Sequence, residues 1–229
     1  MTHILTRRCW RLFAGSAIAL LLAACAGHPP PPDWQTNAKQ STERAIAAYL
    51  LGNTRVEAAE LARARAEVAR TGRADLLARV ELTHCAAQVA SLVFGPCEGF
   101  EQLRADAAAP ERAYGDYLQI KLVLADIALL PESHRAVAAG GPNDAANTAA
   151  LSGIADPLSR LVAAGVLFRT GRADPGVITL AIDAASSQGW RRPLLAWLKV
   201  QLQRAEQAGA GDDVQRLRRR IELVRGNAG

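Results

Sequence analysis

The chain has 229 residues, 50% hydrophobic, 21% charged and 5% aromatic, with a formal net charge of +5. That length is enough for one well-buried domain. The positive excess lies near the start: of 27 Lys and Arg, removing Arg7, Arg8 and Arg11 leaves 24 against 22 acidic residues. A net of +2 gives little support to a nucleic-acid partner, which usually needs a clear basic footprint.

Residues 1–24 contain those three arginines and no acidic residue, and residues 12–22 run Leu-Phe-Ala-Gly-Ser-Ala-Ile-Ala-Leu-Leu-Leu. Ala23 and Ala24 follow, then Cys25. A basic start, an apolar run and small residues in this order are the layout of a secretory signal. The apolar stretch 12–26 spans ~22 Å as a helix at ~1.5 Å per residue, too short for a hydrocarbon core that needs about 20 residues. The sequence therefore predicts a cleaved signal rather than a transmembrane anchor.

Leu22-Ala23-Ala24-Cys25 resembles the lipobox of bacterial lipoproteins, over this N-terminal stretch alone. The resemblance implies that the Cys25 thiol is diacylated, that the signal is cut before it, and that the new amine is acylated. Several acyl chains exceed what stable anchoring requires. In enterobacterial relatives an Asp after the cysteine favours the inner membrane. Ala26 stands there instead, which by that resemblance directs the chain to the periplasmic face of the outer membrane. The stretch 26–33 then holds four consecutive prolines, Pro29 to Pro32, and His28. Such a run favours an extended polyproline II spacer that stands a domain off a lipid surface, with His28 in solvent.

Cys9 leaves with the signal and Cys25 takes lipid, so Cys85 and Cys97 remain as a pair in an exported chain, where disulfides persist. In one continuous helix the two would lie ~18 Å apart, beyond the ~7 Å that a disulfide allows between Cα atoms. Their bond thus requires a chain reversal, and Gly95-Pro96 supplies the break. A redox-active pair is the alternative, but its usual C-x-x-C spacing beside a βαβ pattern is absent.

From residue 34 to 226 the chain reads as all-α, rich in Ala, Leu, Arg, Glu and Gln, with no convincing alternating strand. Helices are predicted at 36–51, 55–70, 75–92, 98–107, 111–129, 132–138, 144–151, 156–169, 175–187, 191–208 and 212–225. The segment 139–143, Ala-Gly-Gly-Pro-Asn, is the strongest internal break. Leu77, Val80, His84 and Ala87 share a helical face, as do Val214, Leu217, Ile221 and Val224. Arg218 is placed to pair with Glu222 at i+4.

Arg70-Thr71-Gly72-Arg73-Ala74-Asp75 recurs as Arg169-Thr170-Gly171-Arg172-Ala173-Asp174. In each copy glycine suits a left-handed helix end and aspartate can cap the next helix. Pro175 fits a first helical position. Gly211-Asp212-Asp213 is a looser version. The copies lie 99 residues apart, near three periods of about 33–34 residues. That spacing resembles tetratricopeptide-type helix-hairpin repeats, whose consensus Trp, Tyr and Pro positions are not clearly filled here. An irregular helical bundle is the alternative architecture.

No zinc motif, nucleophile elbow, P-loop or dinucleotide fingerprint is present. No catalytic residue, metal site or cofactor is assigned. His84 adjoins Cys85, but helical neighbours point ~100° apart, so His84 is expected in the core or flanking the disulfide. His134 is expected on the surface, in the first turn of its helix. The arginines near the C-terminus fit a solvated helix face, with anion binding as the rival. The sequence thus directs attention to a lipid-anchored envelope module that binds a protein partner without catalysis. A cell-wall-active enzyme, or a helical lipoprotein that binds a small ligand, is the alternative.

Overall fold

Good helix formers set the local preference, and glycine, proline and aspartate set the boundaries. The computed structural model describes residues 31–141 and 144–226. Cys9, Cys25, His28 and the signal lie outside the described residues, as do Pro142 and Asn143. Contacts divide the chain into Met1–Asp33 and Trp34–Gly229; the second unit is the helical body. It is all-α. The described helices are α1 (Asp33–Leu51), α2 (Thr54–Ala69), α3 (Ala74–Ala90), α4 (Glu98–Glu101), α5 (Ala109–Gln119) and α6 (Glu132–Ala139). They continue with α7 (Asp144–Ser152), α8 (Pro157–Arg169), α9 (Pro175–Ser187), α10 (Arg191–Gln207) and α11 (Gly211–Arg225). Arg104–Asp106 and Leu124–Leu129 are 3-10 segments.

The two Arg-Thr-Gly-Arg-Ala-Asp segments form closely similar turns. Gly72 and Gly171 both take left-handed backbone, at φ +67° and +71°, which glycine adopts without steric cost. They differ at the aspartate. Asp174 accepts from the Val177 amide at 2.7 Å and caps α9, with Pro175 in the first turn. Asp75 does not cap α3, because that helix already starts at Ala74. Its carboxylate is instead held by the Arg73 guanidinium at 2.6 and 3.1 Å. Before α11 the left-handed residue is Gly209, not Gly211, which begins the helix.

The core is built where α3, α8 and α10 meet. Residues 161–167 of α8, Leu-Val-Ala-Ala-Gly-Val-Leu, are all buried, as expected of a helix that is apolar all round. At Gly165 a Cβ would sit well inside 3.0 Å of the Val89 carbonyl oxygen, so only glycine permits this approach of α8 to α3. From α10, the fully buried Trp197 donates its indole N–H to the Ala90 carbonyl at 3.1 Å. That carbonyl is in the last turn of α3, where intrahelical donors run out. Helices α8 to α11 pack in chain order, yet α3 packs on α8 across the sequence.

Two predicted helices are shorter than expected. The segment 98–107 divides into α4 and a 3-10 turn, and 111–129 stops at Gln119. Ile120 is left-handed at φ 62°, and Lys121 donates its backbone N–H to the Asp116 carbonyl at 2.7 Å. This geometry usually employs glycine at the left-handed position. The Gln119 amide is drawn to Glu101 at 2.6 Å, and the Lys121 ammonium to Gln119 at 2.9 Å, fixing the ending. Leu92, at φ 58°, ends α3 in the same way. In α11, Val214, Leu217 and Ile221 are buried as predicted. Arg218, however, reaches Glu206 on α10 at 2.8 Å, while Glu222 pairs with Arg225 at 2.7 Å.

Gly165→Ala forces overpacking against backbone, which costs about 1–3 kcal/mol. In a domain of this size, each kcal/mol shifts Tm by roughly 2–4 °C. The expected result is a lower Tm by thermal denaturation with helicity retained. An unchanged Tm would mean that α3 and α8 lie further apart.

Candidate functional site

Cys85 and Cys97 are disulfide-bonded, with Cα atoms 5.5 Å apart. The turn that ends α3 falls at Ser91-Leu92, before the expected break at Gly95-Pro96, and Leu92 and Cys97 are the left-handed residues between the two cysteines. A loop of this size contributes about 3 kcal/mol in the chain-entropy model. A cavity of about 250 Å³ adjoins the bond, lined by Arg65, Glu81, His84, Gln88 and Glu98 among others. Glu81 is buried, and Arg65 grips both its oxygens at 2.6 and 2.8 Å. Such a bidentate pair is a brace whose charge is already answered.

His84 is half-buried beside the disulfide, near the face the periodicity indicated. Its Nε2 lies 2.9 Å from Glu57 Oε1, and Arg192 stands 3.5 Å from the other Glu57 oxygen. The Arg192 guanidinium lies 4.1 Å from the centre of the Tyr49 ring and donates to the Tyr49 carbonyl at 2.6 Å. Four helices are tied together here, α1, α2, α3 and α10. A histidine–carboxylate pair resembles half of a catalytic device, but its neighbouring sulfur, Cys85, is bonded to Cys97. What the pair does visibly is join α2 to α3, and Arg192 extends the link to α10. Glu57 and Arg192 are 27 and 108 residues from His84, and no local spacing connects them.

His134 is not on the surface. It is 2% exposed, with ring centres of Tyr114 and Tyr117 at 5.5 and 5.1 Å. It does fall in the first turn of α6, but Leu130, His134 and Val137 share one face, and all three are buried. That four-and-three spacing is legible in the sequence once the histidine is counted with the apolar residues. Burial pulls the His134 pKa down to about 4, against the opposing pull of Asp156. Burial likewise pushes the Tyr114 and Tyr117 hydroxyls above the ordinary phenol range.

The segment that follows the left-handed Ile120 carries the surface feature most out of keeping with a solvated chain. Of eight large hydrophobic residues exposed among the described residues, four lie here: Ile120, Val123, Leu124 and Leu129. Leu124 is 81% exposed. Scattered exposed leucines need no explanation, whereas a cluster marks a contact surface. Behind it lies a cavity of about 120 Å³, lined by Tyr117, Leu122, Leu124, Ile127, Val166 and Arg172 among others. The Tyr117 hydroxyl is buried without a hydrogen-bond partner. Arg172 donates to Gly140 and Val137 carbonyls and to Thr170 Oγ1, and no carboxylate among the described residues pairs with it.

A larger groove of about 400 Å³ runs between α9, α10 and α11, with Ile178 and Leu217 in its lining and Arg204, Arg216 and Arg220 beside them. Arg216 pairs with Asp213, and neighbouring Arg218 and Arg225 also have carboxylate partners. Arg204 and Arg220, by contrast, donate to the Ala173 carbonyl and to Ser186 Oγ, with no carboxylate pairing to either among the described residues. Among the described residues no group of three or more His, Cys, Asp or Glu is placed to hold a metal ion. Among them, too, no helix is long and apolar enough to cross a membrane. No family model, curated protein or solved structure matches the chain.

The pKa of His134 gives a pH signature. Its folded value lies below the unfolded one, so the unfolded chain binds the proton more readily between pH 6.5 and about 4. The stability is fully present above 6.5 and falls by about 3 kcal/mol as pH drops to 4. His134→Phe removes this slope, so urea midpoints of the variant should change less than wild type between pH 7 and 4. Parallel pH profiles would contradict the burial of His134.

Proposed function

We propose that the chain is an exported lipoprotein, held by lipid on Cys25 at the periplasmic face of the outer membrane. Its helical body binds another envelope protein and carries out no chemistry of its own. The targeting half rests on the signal layout, the Leu22-Ala23-Ala24-Cys25 pattern and a disulfide suited to an oxidising compartment. The binding half rests on one observation, the cluster of exposed apolar side chains at 120–129. Leaving Val123 and Leu124 in water forgoes about 1.5–3 kcal/mol for each side chain that a partner would bury. Two of the most enclosed carboxylates, Glu60 and Glu81, are each held by arginine, which supports binding over acid–base catalysis.

Two measurements test the halves separately. Cys25→Ser should abolish incorporation of labelled palmitate, and continued labelling would overturn the anchor. A photo-crosslinking residue at position 123 should capture one discrete envelope protein, and Leu124→Asp should remove that product without lowering Tm. A crosslink indifferent to Leu124→Asp, or none at all, would refute the contact surface.

A further inference from the structure

We propose that the cavity behind segment 120–127 takes the apolar C-terminal residue of a partner polypeptide, side chain inward and carboxylate toward Tyr117 and Arg172. This deepens the contact surface described above and rests on it. Size comes first. About 120 Å³ is too small for a cofactor, whereas an apolar cavity of about 150 Å³ accepts a benzene ring. At about 120 Å³ the space suits one aliphatic side chain, against Leu122, Leu124, Ile127 and Val166.

The polar groups then select what that side chain must carry. Tyr117 offers a buried hydroxyl with no partner. Arg172 has five N–H donors, and three neutral acceptors are on hand for them: the Gly140 and Val137 carbonyls and the Thr170 hydroxyl. Its positive charge meets no carboxylate among the described residues. Thr170 in turn donates to the Val166 and Leu167 carbonyls. The cavity is thus lined by a tyrosine whose hydroxyl lacks a partner and by a cation, and an anionic acceptor complements both.

The backbone decides between a free acid and a chain end. Val123 is extended, at φ −91° and ψ 150°, and the amides of Leu122 and Val123 make no hydrogen bond within the described residues. An extended peptide can accept from such amides, while its terminal carboxylate is captured. A free short-chain acid would leave those amides without an acceptor. Ile120 fits the same picture: a β-branched residue held left-handed is strained, and strain of this kind gathers at binding sites.

Ligand-observed NMR on the full chain in detergent tests this with N-acetyl-Ala-Ala-Leu, -Val and -Phe, their C-terminal amides, and hexanoate. At least one tripeptide acid should bind in the millimolar range or better, with its amide about tenfold weaker. Tyr117→Phe, which removes an unpartnered hydroxyl and so leaves the fold intact, should weaken the acid several-fold. Leu124→Asp should weaken it further through like charge. Acid and amide binding alike, or no tripeptide binding, would overturn the proposal. Hexanoate binding as tightly as the tripeptides would overturn the chain-end assignment. If the tripeptides fail while Leu124→Asp still removes the crosslinked partner, this inference falls and the contact surface stands. Tripeptide binding without any crosslinked protein would do the reverse.

Discussion

The approach of α8 to α3 at Gly165 is the constraint from which most of the structure follows. With no Cβ at Gly165, the Val89 carbonyl comes close enough for the two helices to share one interior. Trp197 then closes on the next residue, Ala90, and brings α10 into that interior. The end of α3 is thereby fixed, and the chain must reverse at Leu92 toward Cys97. On the other side, the end of α8 is fixed too, and Thr170 and Arg172 come to rest beside Tyr117 and the 120–127 segment. The disulfide and the apolar cavity are thus downstream of one close backbone contact.

Charge is handled by pairing. Burial would raise the Glu60 pKa, but Arg44 and Arg63 hold it lower than usual. The Arg104 guanidinium holds Glu101 at about 2 despite burial. Removing one partner from such a pair strands the other, so these pairs act as registry devices more than as sources of net stability. A carboxylate held down in this way is a poor proton donor at neutral pH. Arg172 differs from these arginines in having only neutral acceptors, and it is the one that lines the cavity under the exposed apolar cluster.

Much of the fold was legible because it is written in local signals. Gly72 and Gly171 marked helix turns, Asp174-Pro175 marked a helix start, and Val214, Leu217 and Ile221 marked a buried face. The pairing of Cys85 with Cys97 was legible, but the chain turns for it at Leu92 rather than at Gly95-Pro96. The left-handed endings at Leu92 and Ile120 were illegible, since neither carries the glycine that announces such a turn. With the end of α5 hidden, the exposed apolar segment read as more helix. His134 is polar and hides a core position, although Leu130 and Val137 flank it at core spacing. Long-range partners such as Arg192 for Glu57, or Arg172 for the Tyr117 cavity, depend on packing that local spacing does not encode. Cys25 lies outside the described residues, so its role rests on sequence resemblance.

Native-state hydrogen exchange tests most directly whether the Gly165 contact unites the body and leaves the 120–129 segment outside it. Amides in α3, α8 and α10 should exchange only through one shared global opening, with equal free energies. Those of Leu122 and Val123 should exchange almost at the rate of an unstructured chain. Separate opening free energies for α3 and α10, or strong protection at Leu122 and Val123, would contradict it.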